Sequence, residues 1–367
     1  MIRPLASGYV YRNPKPHLTA LHAWHPSLVR LPGGSLLATF DLAQAVESLD
    51  YHTCQSRSTD GGRTWSEPVP LFHDTVTRRS THSVRIAAVG EGLLVGLGGR
   101  FYRDDPHEGL VNRANLGYVP MDLFLLRSTD EGRTWKGPQA LAPPLVGPAF
   151  EVCHPIVELA DRRWLAPTST WRGWSGEAPH GMQAIALVSH DRGRTWPDYL
   201  RIIDQTARGV ISWEQGLVQL ADGRLASIVW SFDEASGKSL PNRYAVSRDG
   251  RTFSASRETG LLGETAKLLA LSDGRLLCLY RRLDQPGLWA VVARIDGEEW
   301  ITLEQAPLWQ GTAAGTSGAR VTGDEQGGLK FGYPSMVELG DGQVLAVFWC
   351  LEDCQHVIRW QMMTVGS

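Results

Sequence analysis

The stretch that decides the fold is an octet ending in tryptophan that returns along the chain. It reads STDGGRTW at 58–65, STDEGRTW at 128–135 and SHDRGRTW at 189–196, and a shorter copy, SRDGRTF, occupies 247–253. The aspartate and serine can accept backbone N–H bonds, glycine permits a positive φ, and the aromatic residue can pack back onto the core. Each copy therefore predicts a tight turn between two strands, closed by an aromatic side chain.

A second repeat, of apolar strand, polar turn and apolar strand, alternates with the octets. Nearly continuous apolar strands are typical of strands buried on both faces. Six such hairpins, most followed by an outer hairpin, predict a single all-β domain over 1–367: a six-bladed β-propeller of four-stranded antiparallel blades. The six copies are SLVRLPGGSLLATF (27–40), SVRIAAVGEGLLVGLG (83–98), PIVELADRRWLAPTS (155–169), GLVQLADGRLASIVW (216–230), KLLALSDGRLLCLY (267–280) and SMVELGDGQVLAVFW (335–349).

The sixth unit is one strand short. After its inner hairpin only HVIRWQMMTV (356–365) remains to extend the sheet. We expect the segment around Leu5 to Arg12 to supply the missing outer strand, so that the N-terminal strand closes the last blade and leaves no open edge. The 39 glycines and 14 tryptophans of the chain are consistent with this many turns and aromatic closures.

Composition excludes several classes of function. The 36 basic and 39 acidic residues give a formal charge of −3 without a Lys/Arg-rich block, which argues against a nucleic-acid partner. The longest uncharged stretch, 137–150, contains four prolines, so we expect no membrane-spanning helix. The N-terminus lacks the apolar core of a secretory signal, so a cytoplasmic location is expected unless such a segment has been removed. Five scattered cysteines predict reduced thiols.

The octet S-x-D-x-G-x-T-W at this spacing resembles the Asp-box repeat of the sialidase (neuraminidase) superfamily, and the resemblance covers essentially the whole chain. It implies a six-bladed propeller whose active site lies where the inner strands converge, on the face opposite the Asp boxes. The aspartates of the octets are then turn caps and not catalytic acids.

Three residues match the catalytic set that this resemblance implies. Asp50, in the loop after the second strand, corresponds to the acid/base. Tyr333, in the sequence YPS, corresponds to the nucleophile, and Glu214, in WEQ, corresponds to the glutamate that acts with it.

The arginine triad that grips the sialic acid carboxylate in this superfamily is not matched. The segment WHP at 24–26 carries His25 in place of the first arginine, and Trp230 and Ser231 stand near the position of the second. Near the third only Arg320 is present, in a glycine-rich stretch. Imidazole offers neither the planar fork nor the permanent charge of a guanidinium group. We therefore expect a glycan other than ordinary sialic acid as the substrate.

The residues just before each inner strand should surround a common pocket. They are far more polar than the strands that they introduce, although a satisfied polar plug would have the same composition. Loops on the same face offer flat aromatic side chains and forked donors, which suit a carbohydrate. The candidate substrate contacts are Arg85, Glu151, Trp171, Arg281 and Trp24. Other members of this polar ring are His22, Thr81, Trp213, Glu264, Lys267 and Lys330.

Two mechanisms and one non-catalytic role fit this ring. In a sialidase-like, exo-acting hydrolase, Glu214 withdraws the proton of Tyr333, the phenolate attacks the anomeric carbon and Asp50 protonates the leaving group. In a polysaccharide lyase, a histidine abstracts the proton beside a uronate carboxylate, and Tyr333 or a second histidine protonates the leaving oxygen. The third possibility is a propeller that binds a sugar or a protein. The candidate histidines are His25, His82 and His154.

No cofactor is expected. The chain has no phosphate-binding glycine loop, nucleotide fingerprint or Cys/His array, and the pieces GDG and ADG are hairpin turns. The HxxH spacing at 22–25, with His82 and His154, is a weak metal signal because the segment is not an obvious helix. We expect no metal and a carbohydrate as the partner, and nothing in the sequence indicates an oligomeric state.

Overall fold

The computed structural model describes residues 1–90, 92–311 and 331–366. Regular structure in these residues is all β, apart from one 3₁₀ turn at Thr206–Arg208. None of the described residues forms a helix long and apolar enough to cross a membrane. The sheets adopt a propeller-like arrangement, and the predicted all-β class is confirmed.

The first two sheets are four-stranded and antiparallel. After β1 (Ile2–Tyr11), which pairs elsewhere, the first sheet contains β2 (His22–Arg30), β3 (Leu36–Ala43), β4 (His52–Ser58) and β5 (Val69–Pro70). The second sheet contains β6 (Ser80–Val89), β7 (Leu93–Tyr102), β10 (Met121–Ser128) and β11 (Lys136–Leu141); between β7 and β10 the chain forms a small ribbon of β8 (Val111–Asn112) and β9 (Gly117–Tyr118).

The remaining sheets are larger or depend on the N-terminus. In the third, five-stranded sheet, β12 (Ala149–Glu151) and β13 (Val157–Glu158) both pair with β14 (Trp164–Trp171), which β15 (Ala184–Ser189) and β16 (Asp198–Ile203) extend. The fourth sheet has seven strands: β17 (Val210–Gln219), β18 (Leu225–Asp233), β19 (Lys238–Ser247), β20 (Arg257–Ala270), β21 (Leu276–Arg282), β22 (Leu288–Asp296) and β23 (Glu299–Trp309). The fifth contains β24 (Phe331–Gly340), β25 (Gln343–Glu352), β26 (Gln355–Val365) and β1.

The predicted six four-stranded blades are not seen as six separate sheets. The seven-stranded sheet is continuous because β20 pairs with β19 through its first half and with β21 through its second half, from Gly263 to Ala270. The sequence of β20, RETGLLGETAKLLA, contains no proline or polar turn that would break it between the two ladders. One long strand therefore serves two neighbouring groups of strands.

The predicted pairing of the N-terminal segment is confirmed. β1 runs antiparallel to β26, from Ile2 opposite Val365 to Tyr11 opposite Ile358. Gly8 lies against the indole of Trp360, where an added Cβ would approach the ring to 2.8 Å. The strand therefore needs glycine at this point in order to lie flat on its partner.

Each octet forms the turn that its sequence predicts. In the first copy, Asp60 accepts hydrogen bonds from the backbone N–H and the hydroxyl of Thr64, at 3.0 and 2.6 Å, and from the hydroxyl of Ser58 at 2.8 Å. The indole of Trp65 donates to the carbonyl of Gly62 at 3.0 Å. These hydrogen bonds hold the pKa of the Asp60 carboxyl well below its usual range. The aspartate is a turn cap.

The inner strands bring the sheets together. β2, β6, β13, β17, β20 and β24 contact one another in sequence, and β24 contacts β2 again. Apolar side chains fill the space between neighbouring sheets, for example Leu36 and Phe40 of β3 against Leu345 and Val347 of β25. Because the strands of each sheet are antiparallel, the inner strands begin at the end of the molecule opposite the octet turns. Their first residues are therefore the ones that can meet.

Candidate functional site

A cavity of about 170 Å³ opens where the inner strands begin. Its wall is largely aromatic and aliphatic, with a few charged side chains directed into it. Of the residues predicted to contact a substrate, all five line it, together with Tyr333, Glu214 and His25. The charged and polar lining residues are His25, Glu47, Tyr51, Ser83, Arg85, Tyr118, Glu151, Glu214, Glu264, Thr265, Arg281 and Tyr333.

Four of the lining side chains are directed inward by the same backbone feature. His25, Glu214, Thr265 and Tyr333 have φ values of 48°, 49°, 53° and 55°. At each one the ladder of the inner strand shifts register, as in a β-bulge. Positive φ is uncommon for residues other than glycine, and bulges at strand ends re-aim side chains beside functional sites. The repeat thus places one side chain from each of four inner strands at the cavity.

Asp41 lies beneath one side of the cavity and binds several of the side chains there. Its carboxylate is fully buried and accepts hydrogen bonds from the hydroxyls of Thr53 and Ser83, both at 2.6 Å, and of Tyr51 at 3.0 Å. Burial alone would raise its pKa, but the neighbouring imidazole of His25 and the charge of Arg85 bring the pKa of Asp41 below its ordinary value. Asp41 is therefore a buried, ionised anchor.

His25 and Arg85 lie next to the Asp41 carboxylate. The Nδ1 atom of His25 lies 2.6 Å from the hydroxyl of Tyr51 and 3.5 Å from Asp41. The guanidinium of Arg85 donates to the carbonyl of His25 at 3.1 Å, lies 3.6 Å from Asp41 and sits 4.9 Å from the centre of the Tyr333 ring. Burial lowers the pKa of His25 below its usual value. The imidazole is therefore neutral at neutral pH.

Two glutamates occupy the opposite side, with a lysine beside them. Glu151 accepts the backbone N–H of Glu214 at 2.8 Å, and Lys267 donates to the carbonyls of Glu214 and Gln215 at 2.9 and 3.0 Å. Oε2 of Glu214 is buried, with no hydrogen-bond partner among the described residues. Burial and the negative charge of Glu151 raise the pKa of Glu214 to about 8. Burial also raises the pKa of Glu151, although the N–H bond opposes that change.

Tyr333 is buried between cations. Besides Arg85, the ammonium of Lys267 lies 5.0 Å from the centre of its ring. In the described part of the chain its hydroxyl donates to the carbonyl of Val152 at 3.3 Å, and no hydrogen bond joins it to Glu214. Burial raises the pKa of Tyr333 well above its usual value. The geometry therefore brings Tyr333 to the cavity without pairing it to the predicted base.

A buried ion pair joins Arg281 to Glu264, so the charge of Arg281 is compensated within the protein. The other end of the guanidinium donates to the carbonyl of Phe331 at 2.8 Å. Glu264 also accepts from the hydroxyl of Ser239 at 3.2 Å, which in turn accepts from the indole of Trp230 at 2.9 Å. This network fixes the floor next to the aromatic wall.

The aromatic wall is a row of stacked rings. Ring centres lie 5.4 Å apart for Tyr118 and Trp171, 4.9 Å for Trp171 and Trp213, and 4.1 Å for Trp213 and Trp230. The indole of Trp171 donates to a loop carbonyl at 2.6 Å, which fixes the orientation of its ring. On the other side, Trp24 stacks on Tyr51 with the centres 5.9 Å apart. Both walls are therefore apolar.

Three predicted catalytic residues lie elsewhere: His82, His154 and Asp50 are not among the described lining residues. Both nitrogens of His154 are used, Nδ1 toward the Pro155 carbonyl and Nε2 toward the N–H of Leu217, and burial lowers its pKa to about 3. The ring of His82 packs on Phe72, and burial lowers its pKa to about 4.

Asp50 is exposed and is engaged within its own loop. Its carboxylate accepts the backbone N–H of Gln44 and, at 2.5 Å, the hydroxyl of Ser48. Glu47 of the same loop does reach the cavity, and its carboxylate accepts the N–H of Leu110 at 2.6 Å. The acid/base role of Asp50 stays a prediction, while the geometry places a different carboxylate of this loop at the site.

Two residues of the sequence-based argument, Arg320 and Lys330, lie outside the described residues. Within the described ranges, no group of three or more His, Cys, Asp or Glu side chains is arranged to hold a metal ion. His22, of the predicted polar ring, packs against Trp24 and against His356.

A sequence model described as a BNR repeat-like domain matches residues 110–345. The chain belongs to this family. The predicted resemblance to the sialidase superfamily is thereby confirmed for the repeat and the fold. No curated protein matches the chain by sequence.

Solved structures share the fold of this BNR repeat-like chain at low identity. A protein of unknown function from Dyadobacter fermentans superposes with a TM-score of 0.74 at 20% identity and covers 100% of this chain and 99% of its own. An α-L-arabinanase from Penicillium chrysogenum, solved with arabinobiose, gives 0.68 at 15% identity, covering 98% of both chains. An intramolecular trans-sialidase from Ruminococcus gnavus gives 0.64 at 13%, covering 94% of both. These likenesses establish the fold.

Sequence reasoning missed Asp41, Tyr51 and Glu47 in this BNR repeat-like chain. One signal for Asp41 was available, since it is the single charged residue in the strand LLATFDLA. A charge in a strand buried on both faces needs partners, and such residues often serve a site. For Tyr51 and Glu47 the loop offered no comparable signal, because polar residues are common in solvated loops.

Proposed function

We propose that the chain is a glycoside hydrolase in which Glu214 is the general acid and Glu151 is its carboxylate partner, acting on a glycan other than ordinary sialic acid. The observation that carries the proposal is the unequal environment of two neighbouring carboxyl groups in an aromatic-lined cavity. Pairs of carboxyl groups whose surroundings push their pKa values apart are typical of glycosidases.

The surroundings of the two carboxyl groups differ. The backbone N–H of Glu214 donates to Glu151, and a donor of this kind stabilises a carboxylate. Oε2 of Glu214 has no partner among the described residues, which favours the neutral acid, and its pKa of about 8 keeps it protonated near neutral pH. Glu214 can therefore donate a proton, and we assign the ionised state to Glu151, which accepts the N–H.

In the reaction, the Glu214 proton passes to the glycosidic oxygen as its bond to the anomeric carbon breaks. Glu151 either attacks the anomeric carbon, forming a glycosyl ester that water then cleaves with ionised Glu214 as the base, or withdraws a proton from the water that attacks this carbon directly. Lys267 supports the role of Glu151 because its charge lowers the pKa of that carboxyl group. The stacked rings of Trp171, Trp213 and Trp230 offer an apolar surface for the sugar.

We also propose that the propeller is six-bladed. Splitting the seven-stranded sheet within β20, where pairing passes from β19 to β21, yields two four-stranded units. The closed circuit of inner strands supports this division, as does the sixfold hairpin repeat of the sequence. Each unit would then contribute the beginning of one inner strand to the cavity.

A substrate panel tests the proposed activity. The panel contains arabino-oligosaccharides, chosen because an arabinanase shares the fold, together with a sialoside and a uronate polymer. Release of reducing sugar supports hydrolysis. An unsaturated uronate, detected by its ultraviolet absorbance, would instead favour the lyase mechanism.

Substitutions assign the roles on whichever substrate is cleaved. Glu214→Gln and Glu151→Gln should each lower kcat by about 10²- to 10⁴-fold, since each removes an acid or base group from the reacting bond. Glu299→Gln, on the exposed outer strand β23, is the matched control and should leave kcat unchanged. If Tyr333→Phe abolishes activity while Glu151→Gln does not, the tyrosine nucleophile replaces Glu151 in the mechanism.

A further inference from the structure

The Asp41, Tyr51 and His25 side chains form a relay that sets the tautomer of His25. Asp41 is ionised and can only accept, so the single proton of the Tyr51 hydroxyl is donated to it, at 3.0 Å. The oxygen of Tyr51 must then accept from His25, 2.6 Å away, and Nδ1 of the imidazole carries the proton. In a neutral imidazole this leaves a lone pair on Nε2.

The Nε2 atom is the free end of this relay. The side chain of His25 is 28% exposed and lines the cavity, and none of the described residues is hydrogen-bonded to Nε2. The left-handed φ of 48° at His25 commits the backbone to this orientation. The cavity therefore presents a fixed, uncharged acceptor at this position.

The cations around the cavity are compensated. Arg85 lies 3.6 Å from Asp41, Arg281 pairs with Glu264, and Lys267 gives hydrogen bonds to two carbonyls. Counted with Asp41 and Lys267, the cavity and its immediate surroundings hold five carboxyl groups and three cations among the described residues. With one glutamate protonated, negative charge still exceeds positive charge, so a carboxylate on the sugar would be repelled.

We propose that His25 is a specificity-determining residue whose Nε2 accepts a hydrogen bond from a hydroxyl group of an uncharged sugar. The cavity then takes a neutral glycan and rejects one that carries a carboxylate. The proposal rests on the proposed function for the location of the sugar, and it extends that function to the class of substrate. It concerns recognition, so binding can test it separately from catalysis.

The experiment is calorimetric titration of the Glu214→Gln variant, in which turnover is suppressed, with four probes: arabinobiose, xylobiose, sialyllactose and digalacturonate. The neutral disaccharides should bind, and each acidic sugar should bind at least about tenfold more weakly. Tighter binding of an acidic sugar, or no binding of either neutral disaccharide, would overturn the proposal. Hydrolysis is scored separately on the unmodified chain, so a failure of the proposed function is recognised by itself.

Three further variants in the same background locate the effect at His25. His25→Ala should weaken binding of the neutral probe by about fivefold to tenfold, the value of one hydrogen bond, and His25→Gln should restore part of it through its amide oxygen. Tyr51→Phe, which removes the group that fixes the tautomer, should weaken binding by a smaller factor. His17→Ala, at an exposed histidine, is the control. Unchanged affinity in His25→Ala with an unchanged thermal midpoint would contradict the role.

Discussion

The octet turns and the cavity contain carboxyl groups in opposite circumstances. At one end, Asp191 accepts hydrogen bonds from Ser189, from the N–H of Arg194 and from the N–H and hydroxyl of Thr195, all between 2.7 and 2.9 Å. At the other end, one oxygen of Glu214 is buried without a partner among the described residues. Donors lower the pKa of Asp191, whereas burial raises that of Glu214.

The two regions also use repetition differently. In the octets, both the backbone turn and the aspartate recur, at Asp60, Asp130, Asp191 and Asp249. In the inner strands the bulge recurs while the side chain changes: histidine, glutamate, threonine and tyrosine occupy the equivalent left-handed positions. The aspartate that recurs in every octet therefore has a structural role. The residues that differ at the recurring bulge are the ones that line the cavity.

The difference between the buried glutamate and the octet aspartates should have its largest effect on the pH dependence of the rate. Because the pKa of Glu214 is raised to about 8, the acid is protonated below that pH and is lost as pH rises through it. We expect kcat/KM to fall about tenfold per pH unit above pH 8, and the alkaline limb to disappear in the residual activity of Glu214→Gln. If the rate instead falls around the ordinary pKa of a glutamate, the assignment of Glu214 as the acid is contradicted.

The next effect is on stability, and it should separate the two regions. Asp191→Ala removes a cap that serves two backbone N–H groups, so the free energy of unfolding in urea should fall by about 1 to 2 kcal/mol. Its kcat should be unchanged. Glu214→Gln should behave in the opposite way, with the rate lost and the free energy of unfolding maintained. Loss of rate in both variants at full stability would remove the distinction.

A smaller effect tests the strain of the bulges. Thr265 is β-branched at a φ of 53°, and its hydroxyl is buried without a partner among the described residues. Thr265→Gly should raise the free energy of unfolding by about 1 kcal/mol, because relief of strain exceeds the added chain entropy. The control, Thr364→Gly on β26, should lower it by a similar amount. Equal losses in both variants would show that the bulge stores no strain.

The smallest effect is expected at Asp50. Its carboxylate serves an exposed loop and does not line the described cavity, so Asp50→Asn should change kcat by less than about twofold. The measurement is kcat on the substrate used for the Glu214 variants. A loss comparable to that of Glu214→Gln would restore Asp50 as the acid and imply that its loop moves into the cavity.

Sequence predicted what depends on local chemistry and repetition. The octet turns, the paired apolar strands and the pairing of the N-terminal segment with the last sheet all follow from residues that recur or from a strand that is missing. The continuity of β20 did not follow, because the hairpin repeat marks where strands turn and not where one strand serves two ladders.

The candidate site was predicted in outline only. Positions before the inner strands gave His25, Glu214 and Tyr333, all of which reach the cavity, but also His82 and His154, which do not. Whether one of these residues reaches the cavity depends on the bulges. The only sequence feature that accompanies the left-handed residues is the proline after His25 and after Tyr333. Asp41 was missed although it is the single charge in its buried strand, because its role depends on three hydroxyl donors that only the folded sheets bring to it.

The pairing of β1 with β26 gives the molecule an order of assembly. These strands are separated by most of the chain, so β1 waits for its partner until β26 has emerged from the ribosome. During that interval β1 is an unpaired edge, and its Arg3 and Pro4 discourage pairing with other chains. Completion of the ring is therefore a late, single event, and any substitution that weakens β1 should act on the yield of finished protein before it acts on the cavity.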